Sequence, residues 1–407
     1  MKLISKISRI LIGAVFIFSG FVKAIDPLGY TYKITDYFEA FHIDFLSVFS
    51  FTIAVCISAF ELLIGLCLIL RIRMRQTAWV LSGFMVFFTI LTFVIALTNP
   101  VTDCGCFGDA LILTNWQTFF KNILFLIPTA IVLWQRNNYD TRFGVVGEWA
   151  IVIGLFLIGV FISIHGYRNL PVIDFRPYEI GTYIPAAMEL PEGAPVDEYE
   201  TTMVYEKDGV QKEFAIEEIP WQDTTWKYVD RKTVLIKKGE EPPIHDFSLT
   251  AADGYEVTDD MLYDPDYSLL LVSYRVEKSS VKGWKNIKAF TDSLTAPVKV
   301  YAMTSSLEQD VEELKNKTGI DYDFYTTDEI TLKTMVRSNP GVILIKDGTV
   351  IGKWHYTNVP VKGFEDENLL SESLKYLNGK KEGLVIIGFF LFLAILIIVV
   401  EFSTIKI

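Results

Sequence analysis

Thr102-Asp103-Cys104-Gly105-Cys106-Phe107-Gly108-Asp109 sets two of the chain's four cysteines one residue apart. The stretch follows an apolar run and the break Thr98-Asn99-Pro100, and a further apolar run begins at Trp116. A paired-cysteine loop between two such runs is where redox or metal chemistry at a membrane surface would sit. The flanking runs are therefore expected to be membrane helices.

The rest of the chain agrees. Its 407 residues are 51% hydrophobic and its mean hydropathy is positive, too apolar for a wholly soluble protein and long enough for two or three domains. Crossing a bilayer takes roughly 17–25 apolar residues. Six runs qualify, at about Ile7–Val22, Leu46–Leu70, Ala78–Leu97, Trp116–Leu133, Glu148–Ile164 and Gly383–Val400. No small-x-small cleavage site ends the first, so it is expected to be a retained helix. The first four, joined by short loops, predict a small helical bundle.

Orientation follows from basic residues in the short loops. Lys2, Lys6 and Arg9 lie before and at the start of the first run, Arg71, Arg73 and Arg75 follow the second, and Arg136 and Arg142 follow the fourth, whereas 98–114 has no Lys or Arg. Both termini are thus expected in the cytoplasm and the cysteine loop outside, which in a bacterium means the periplasmic face of the inner membrane. There cysteine pairs can hold disulfides. The net charge of −12 lies mostly between the fifth and sixth runs. An acidic exterior domain argues against nucleic acid and against docking on anionic lipid. The bilayer itself is one partner, and a periplasmic or membrane protein is the other expected.

Within the spans, Glu61 stands out, because an intramembrane carboxylate is costly unless protonated, paired or facing a cavity. Both a functional role and a structural hydrogen bond fit it. Lys23, before the Pro27 and Gly29 break, can snorkel to the interface. Cys56 and Cys67 share one helix but lie roughly 16 Å apart at 1.5 Å per residue, too far to pair, and read as buried apolar residues. Thr114 or Asn115 can cap the fourth helix.

Past the fifth run, residues 167–240 turn to Pro, Glu, Tyr and Thr. Strand-like Thr201–Glu206 and Thr233–Lys237, with the turn signal Lys207-Asp208-Gly209, predict a small β-rich module. From Pro242 strands and helices alternate: strand Ser268–Tyr274, helix Lys282–Leu294, strand Val298–Met303, helix Ser306–Thr318, strand Tyr322–Tyr325, helix Glu329–Arg337. Then Asn339-Pro340 precedes strands Gly341–Lys346 and Val350–Trp354. A βαβ unit followed by a hairpin after an X-Pro is the order of a thioredoxin-like fold. The expected organisation is a four-helix membrane domain over 1–136, a fifth helix over 148–165, the β-rich module, an exterior α/β domain over 242–380 and a last membrane helix over 383–402.

Ser19-Gly20 with Lys23, Glu61-Leu62-Leu63-Ile64-Gly65 and Cys104-Gly105-Cys106-Phe107-Gly108, in that order, resemble the DoxX/MauE group of four-helix membrane proteins over about 1–136. Residues 242–380 resemble a thioredoxin-like domain of the membrane-tethered thiol-reductase and peroxiredoxin kind, with Pro340 at the family's cis-proline. The combination is similar to DoxX-family proteins of Bacteroidetes that carry an extra exterior domain. The resemblance implies quinone-linked or disulfide-related roles. One departure matters: where a thioredoxin shows Cys-x-x-Cys, this chain has Arg275-Val276-Glu277-Lys278-Ser279-Ser280, and no cysteine follows Cys106. The exterior domain cannot exchange dithiols itself. Its groove at Pro340 would bind extended polypeptide, or the domain is structural.

The site residues expected are Cys104, Cys106 and Glu61. A disulfide across Cys-x-Cys closes a tight ring and should be easily reduced, which suits a donor of oxidising equivalents. Asp103 and Asp109 work against a thiolate there, while the N-terminus of the following helix favours one. Three alternatives stand. The first is a dithiol passing electrons to a quinone in the bundle, with Glu61 binding or protonating it. The second is a structural turn in a non-enzymatic membrane-anchored scaffold. The third is a Cys₂His₂ zinc site with His42 and His165, which no spacing demands. Phosphate-cradling loops, metalloprotease helices and serine elbows are absent from the sequence.

Overall fold

The computed structural model describes residues 2–101, 103–139, 144–190, 193–196, 198–219, 221, 223–237, 239–364 and 368–379. The apolar runs become α1 (Lys2–Ile25), α3 (Ser50–Leu70), α4 (Met74–Thr98), α5 (Asn115–Trp134) and α6 (Val145–Arg168), with α2 (Pro27–Ala40) between the first two. Those five long helices are apolar enough to cross a membrane, and the chain is a multi-pass membrane protein. The sixth run lies outside the described residues, as does Arg142.

Local chemistry sets the helix ends. Asp26 accepts a hydrogen bond from Gly29 N with Pro27 at the first helical position, which separates α2 from α1. Thr114, not Asn115, caps α5, in a capping box with Gln117. Phe87, Ile90 and Leu97 on α4 and Phe120, Leu124 and Ile127 on α5 are exposed, as lipid-facing side chains are. Where α1 meets α3, small residues let the backbones touch: a Cβ on Gly20 would lie 2.4 Å from Leu62 N.

One compact unit, Thr182–Phe247, holds the short helix α7 (Ile184–Ala187) and an antiparallel sheet. Its strands are β1 (Glu198–Lys207), β2 (Val210–Ala215) and β3 (Lys227–Lys237), in the order β2-β1-β3. Asp208 and Gly209, both at positive φ, make the β1–β2 turn, and Tyr205 meets Phe214 and Tyr228, and Phe214 meets Trp226, edge to face.

The other unit joins the membrane helices to the α/β domain. After α8 (Thr258–Leu262) come β4 (Tyr267–Ser273), α9 (Val281–Ser293), β5 (Val298–Thr304), α10 (Glu308–Thr318), β6 (Phe324–Thr326), α11 (Glu329–Met335), β7 (Gly341–Lys346), β8 (Thr349–His355) and α12 (Leu369–Gly379). The sheet order is β6-β5-β4-β7-β8. β4, β5 and β6 are parallel, and β7 is antiparallel to both β4 and β8. Asn339–Pro340 is cis. This is the thioredoxin-like arrangement, packed around Leu269, Leu271, Trp284, Phe290, Val342 and Trp354. α10 starts two residues later than expected because Ser306 is spent elsewhere. Its hydroxyl accepts from Val276 N and donates to Glu277.

A buried charge cluster ties the segment after α6 to this sheet. Asp174 lies 2.7 Å from both Arg176 Nε and Lys353 Nζ, and Arg176 also donates to Thr334 O. Burial alone would raise the Asp174 carboxyl, but the two cations outweigh it and hold the group down at about 2, below its ordinary 3.8. Because the folded carboxyl is the stronger acid, its stabilisation is full above pH 3.8 and fades as pH falls toward about 2. Asp174→Asn, which strands two buried cations, should cost about 3–5 kcal/mol in denaturant unfolding of the full chain. The variant should also lose that acid-side fade. A cost below about 1 kcal/mol, the worth of an exposed pair, would refute the cluster's role.

Candidate functional site

Ser19 and Lys23, four residues apart on α1, face Glu61 on α3. Lys23 Nζ lies 2.8 Å from each Glu61 oxygen, and both side chains are buried. Glu61 is thus paired, one of the conditions under which an intramembrane acid is tolerated. Lys23, expected to snorkel, instead turns inward as its counter-ion. Ser19 Oγ stands 2.7 Å from Glu61 Oε2 and 2.7 Å from the Cys106 carbonyl. One hydroxyl carries one proton, so it serves one of these acceptors at a time.

The cysteine loop is built over this cluster. Asp103 accepts from Gly105 N and pairs with Lys33 of α2, while Tyr37 donates to the Cys104 carbonyl at 2.8 Å. Gly105 and Gly108, at φ +63° and +53°, turn the chain where a side chain would be strained. The fold brings the two sulfurs to 3.0 Å as free thiols. Cys104 is buried, and Cys106 lines a half-open cavity. Ser19, Lys23, Glu61 and Lys121 form that cavity's polar wall, and Phe16, Phe88 and Phe125 part of its apolar one. Lys121 Nζ also sits 4.2 Å from the Phe107 ring centre.

The two thiols are unequal. The hydrogen bond from Cys104 favours the Cys106 thiolate against its burial, and Lys121 and Lys23 add to this, so Cys106 is pulled below the ordinary thiol range. The same contact and burial push Cys104 up. Two expectations are corrected here. Asp103 and Asp109 do not stand as bare negative charges beside the thiols: Lys33 pairs with the first and Arg337 with the second, at 2.8 Å. Nor does the next helix supply the stabilisation, because only a three-residue turn, Gly108–Ala110, follows directly and α5 begins at Asn115.

Cys56 and Cys67 are free thiols within α3. The zinc alternative is not assembled: among the described residues no three His, Cys, Asp or Glu come together to hold a metal. In the α/β domain Arg275–Ser280 ends in a cap, Ser280 accepting from Gly283 N at the start of α9. Ser19, Lys121 and Arg337 belong to the site without being among the site residues expected. A cation inside an apolar run was the signal available for Lys121; for Arg337 there was none.

A thioredoxin domain of a thiol-disulfide oxidoreductase from Bacteroides vulgatus is 14% identical, with TM-score 0.22, covering 26% of this chain and 81% of that one. A thiol peroxidase from Chromobacterium violaceum is 12% identical, with TM-score 0.23, covering 34% and 86%. The α/β fold stands on its strand order, not on these likenesses. No curated protein matches the chain. Residues 199–238 match a domain of unknown function, DUF8463. Residues 1–135, the helices and loop that build the dithiol site, match methylamine utilisation protein MauE, so the N-terminal part of this chain is a MauE-family membrane domain.

Proposed function

We propose that the protein is a membrane dithiol oxidoreductase in which Cys104 and Cys106 pass reducing equivalents from exterior protein thiols to a quinone held in the helical bundle. The observation that carries this is the shared cavity: Cys106, Ser19, Lys23 and Glu61 line one space with apolar side chains of α1, α4 and α5. Phe16, Phe88 and Phe125 suit a flat apolar ring, and Lys121 with the Lys23–Glu61 pair suits polar oxygens at its edge.

When bound, a quinone accepts two electrons and two protons and leaves as the quinol. The chain's own part is to break two S–H bonds and form one S–S bond. Ser19 and Glu61 hold and move the protons released beside Cys106. An exterior dithiol then restores the pair by exchange, itself becoming a disulfide as the Cys104–Cys106 bond reopens to two thiols. The basic residues of the short loops support a topology with this face outside and both termini in the cytoplasm. A groove beside Pro340, lined by Tyr274, Ser279, Ser280 and Tyr356 together with Tyr32 of α2, supports recruitment of the exterior partner.

A maleimide gel shift on membranes tests the proposal. In wild type, the pair should cycle between oxidised and reduced forms and accumulate reduced when quinone is depleted. Cys104→Ser and Cys106→Ser should each abolish the cycle. A pair that stays in one state under every condition would overturn the redox function and leave a membrane-anchored scaffold.

A further inference from the structure

Arg337 stands on the loop from α11 into β7, three residues before Pro340, and is 5% exposed. Its guanidinium leaves its own domain. Nε lies 2.9 Å from Asp26 Oδ2 at the α1–α2 corner, and Nη2 lies 2.8 Å from Asp109 Oδ2, just past Cys106. Nη1 remains on the Lys333 carbonyl, and the Tyr32 ring centre is 5.5 Å from the guanidinium carbon. A planar fork that serves two carboxylates and a carbonyl at once is a task for Arg, which a Lys ammonium meets only in part. One side chain of the cysteine-free domain therefore holds both segments that frame the dithiol loop.

Asp103 and Asp109 share the loop of Cys106 with Cys104; Lys23 faces Cys106 from α1 and Glu61 from α3. Lys33, Tyr30 and Tyr37 come from α2, and Lys121 from α5. Lys33 compensates Asp103 and Lys23 compensates Glu61. Among the described residues the cation on Asp109 is Arg337.

We propose that Arg337 is a positioning residue for the Cys104–Cys106 loop and the compensating charge for Asp109, so that the thioredoxin-like domain acts as a fixed cap setting the reactivity of a dithiol it does not contain. This rests on the redox role of those cysteines. Without Arg337, the Asp109 carboxylate faces the loop uncompensated and disfavours a thiolate there.

The test uses reduced full-length protein in detergent, without quinone, in a Cys104→Ser background that leaves one thiol in the loop. Iodoacetamide alkylation of Cys106 is followed against pH by peptide mass spectrometry. Arg337→Gln should move the midpoint up by about one pH unit, slowing alkylation below it about tenfold. Arg337→Lys, which keeps the charge, should recover most of that rate. Asp109→Asn breaks the same ion pair but removes the negative charge, so its midpoint should move down. A clamp acting by shape alone would respond alike to both changes. Shifts in the same direction, or none, would overturn the proposal, and if Arg337→Gln does not fold, an upward or absent shift in Asp109→Asn does so alone. Because no acceptor is present, failure here is separate from failure of quinone-linked cycling.

Discussion

Lys23→Met is expected to destabilise the bundle by about 3–5 kcal/mol, the cost of leaving one member of a buried ion pair behind. Glu61 then keeps a carboxylate among apolar helices, with its side chain 6% exposed and both oxygens stripped of the ammonium 2.8 Å away. The double variant Lys23→Met/Glu61→Gln removes both charges, so thermal unfolding in detergent should recover most of the loss. Under the proposed cycle, turnover of the cysteines should not recover, because that cycle assigns Glu61 the protons released beside Cys106. Equal unfolding temperatures for the single and double variants would refute the stranded Glu61 charge as the source of the loss.

Gly65→Ala is expected to cost about 3 kcal/mol or more, at or beyond the upper end of overpacking penalties. The added Cβ would lie 2.6 Å from Ile17 N and 2.7 Å from Gly13 O, and backbone cannot rotate away as a side chain can. α1 would be forced off α3, and Ser19 and Lys23 with it. Gly83→Ala on α4 is the matched control. Nothing lies within 4 Å of its Cβ position, and alanine's better helix propensity should make it neutral or stabilising by up to about 1 kcal/mol. Similar melting of the two variants in detergent would refute backbone contact as the basis of α1–α3 packing.

Much of the fold was legible because its signals are local. Five apolar runs become the long helices α1, α3, α4, α5 and α6. Alternating patterns with Asn339-Pro340 marked the succession of strands and helices along the α/β domain, and β7 occupies Gly341–Lys346 as expected, whereas the order of the strands within the sheet came from the structure. Asp208-Gly209 marked its hairpin. The site was legible only in part. Cys104 and Cys106 announce themselves by spacing and Glu61 by its apolar surroundings, but neither cue says what each one faces. Lys23 had the helical spacing to Ser19, yet whether a lysine near a helix end turns to the interface or inward depends on where the neighbouring helix puts its acid.

Composition, periodicity and turn chemistry by themselves determined the helical membrane domain, the cysteine-free α/β domain and the pairing of two thiols on one short loop. Only the tertiary structure decided that Lys23 and Ser19 meet Glu61 beneath the loop, that a cavity opens beside Cys106, and that Arg337 reaches Asp26 and Asp109 from residues 311 and 228 positions away. The division has a physical cause. Burial pattern and backbone preference act between neighbours in the chain, whereas the charge compensation that governs a thiol depends on side chains a few ångströms apart in space, whatever their separation in sequence.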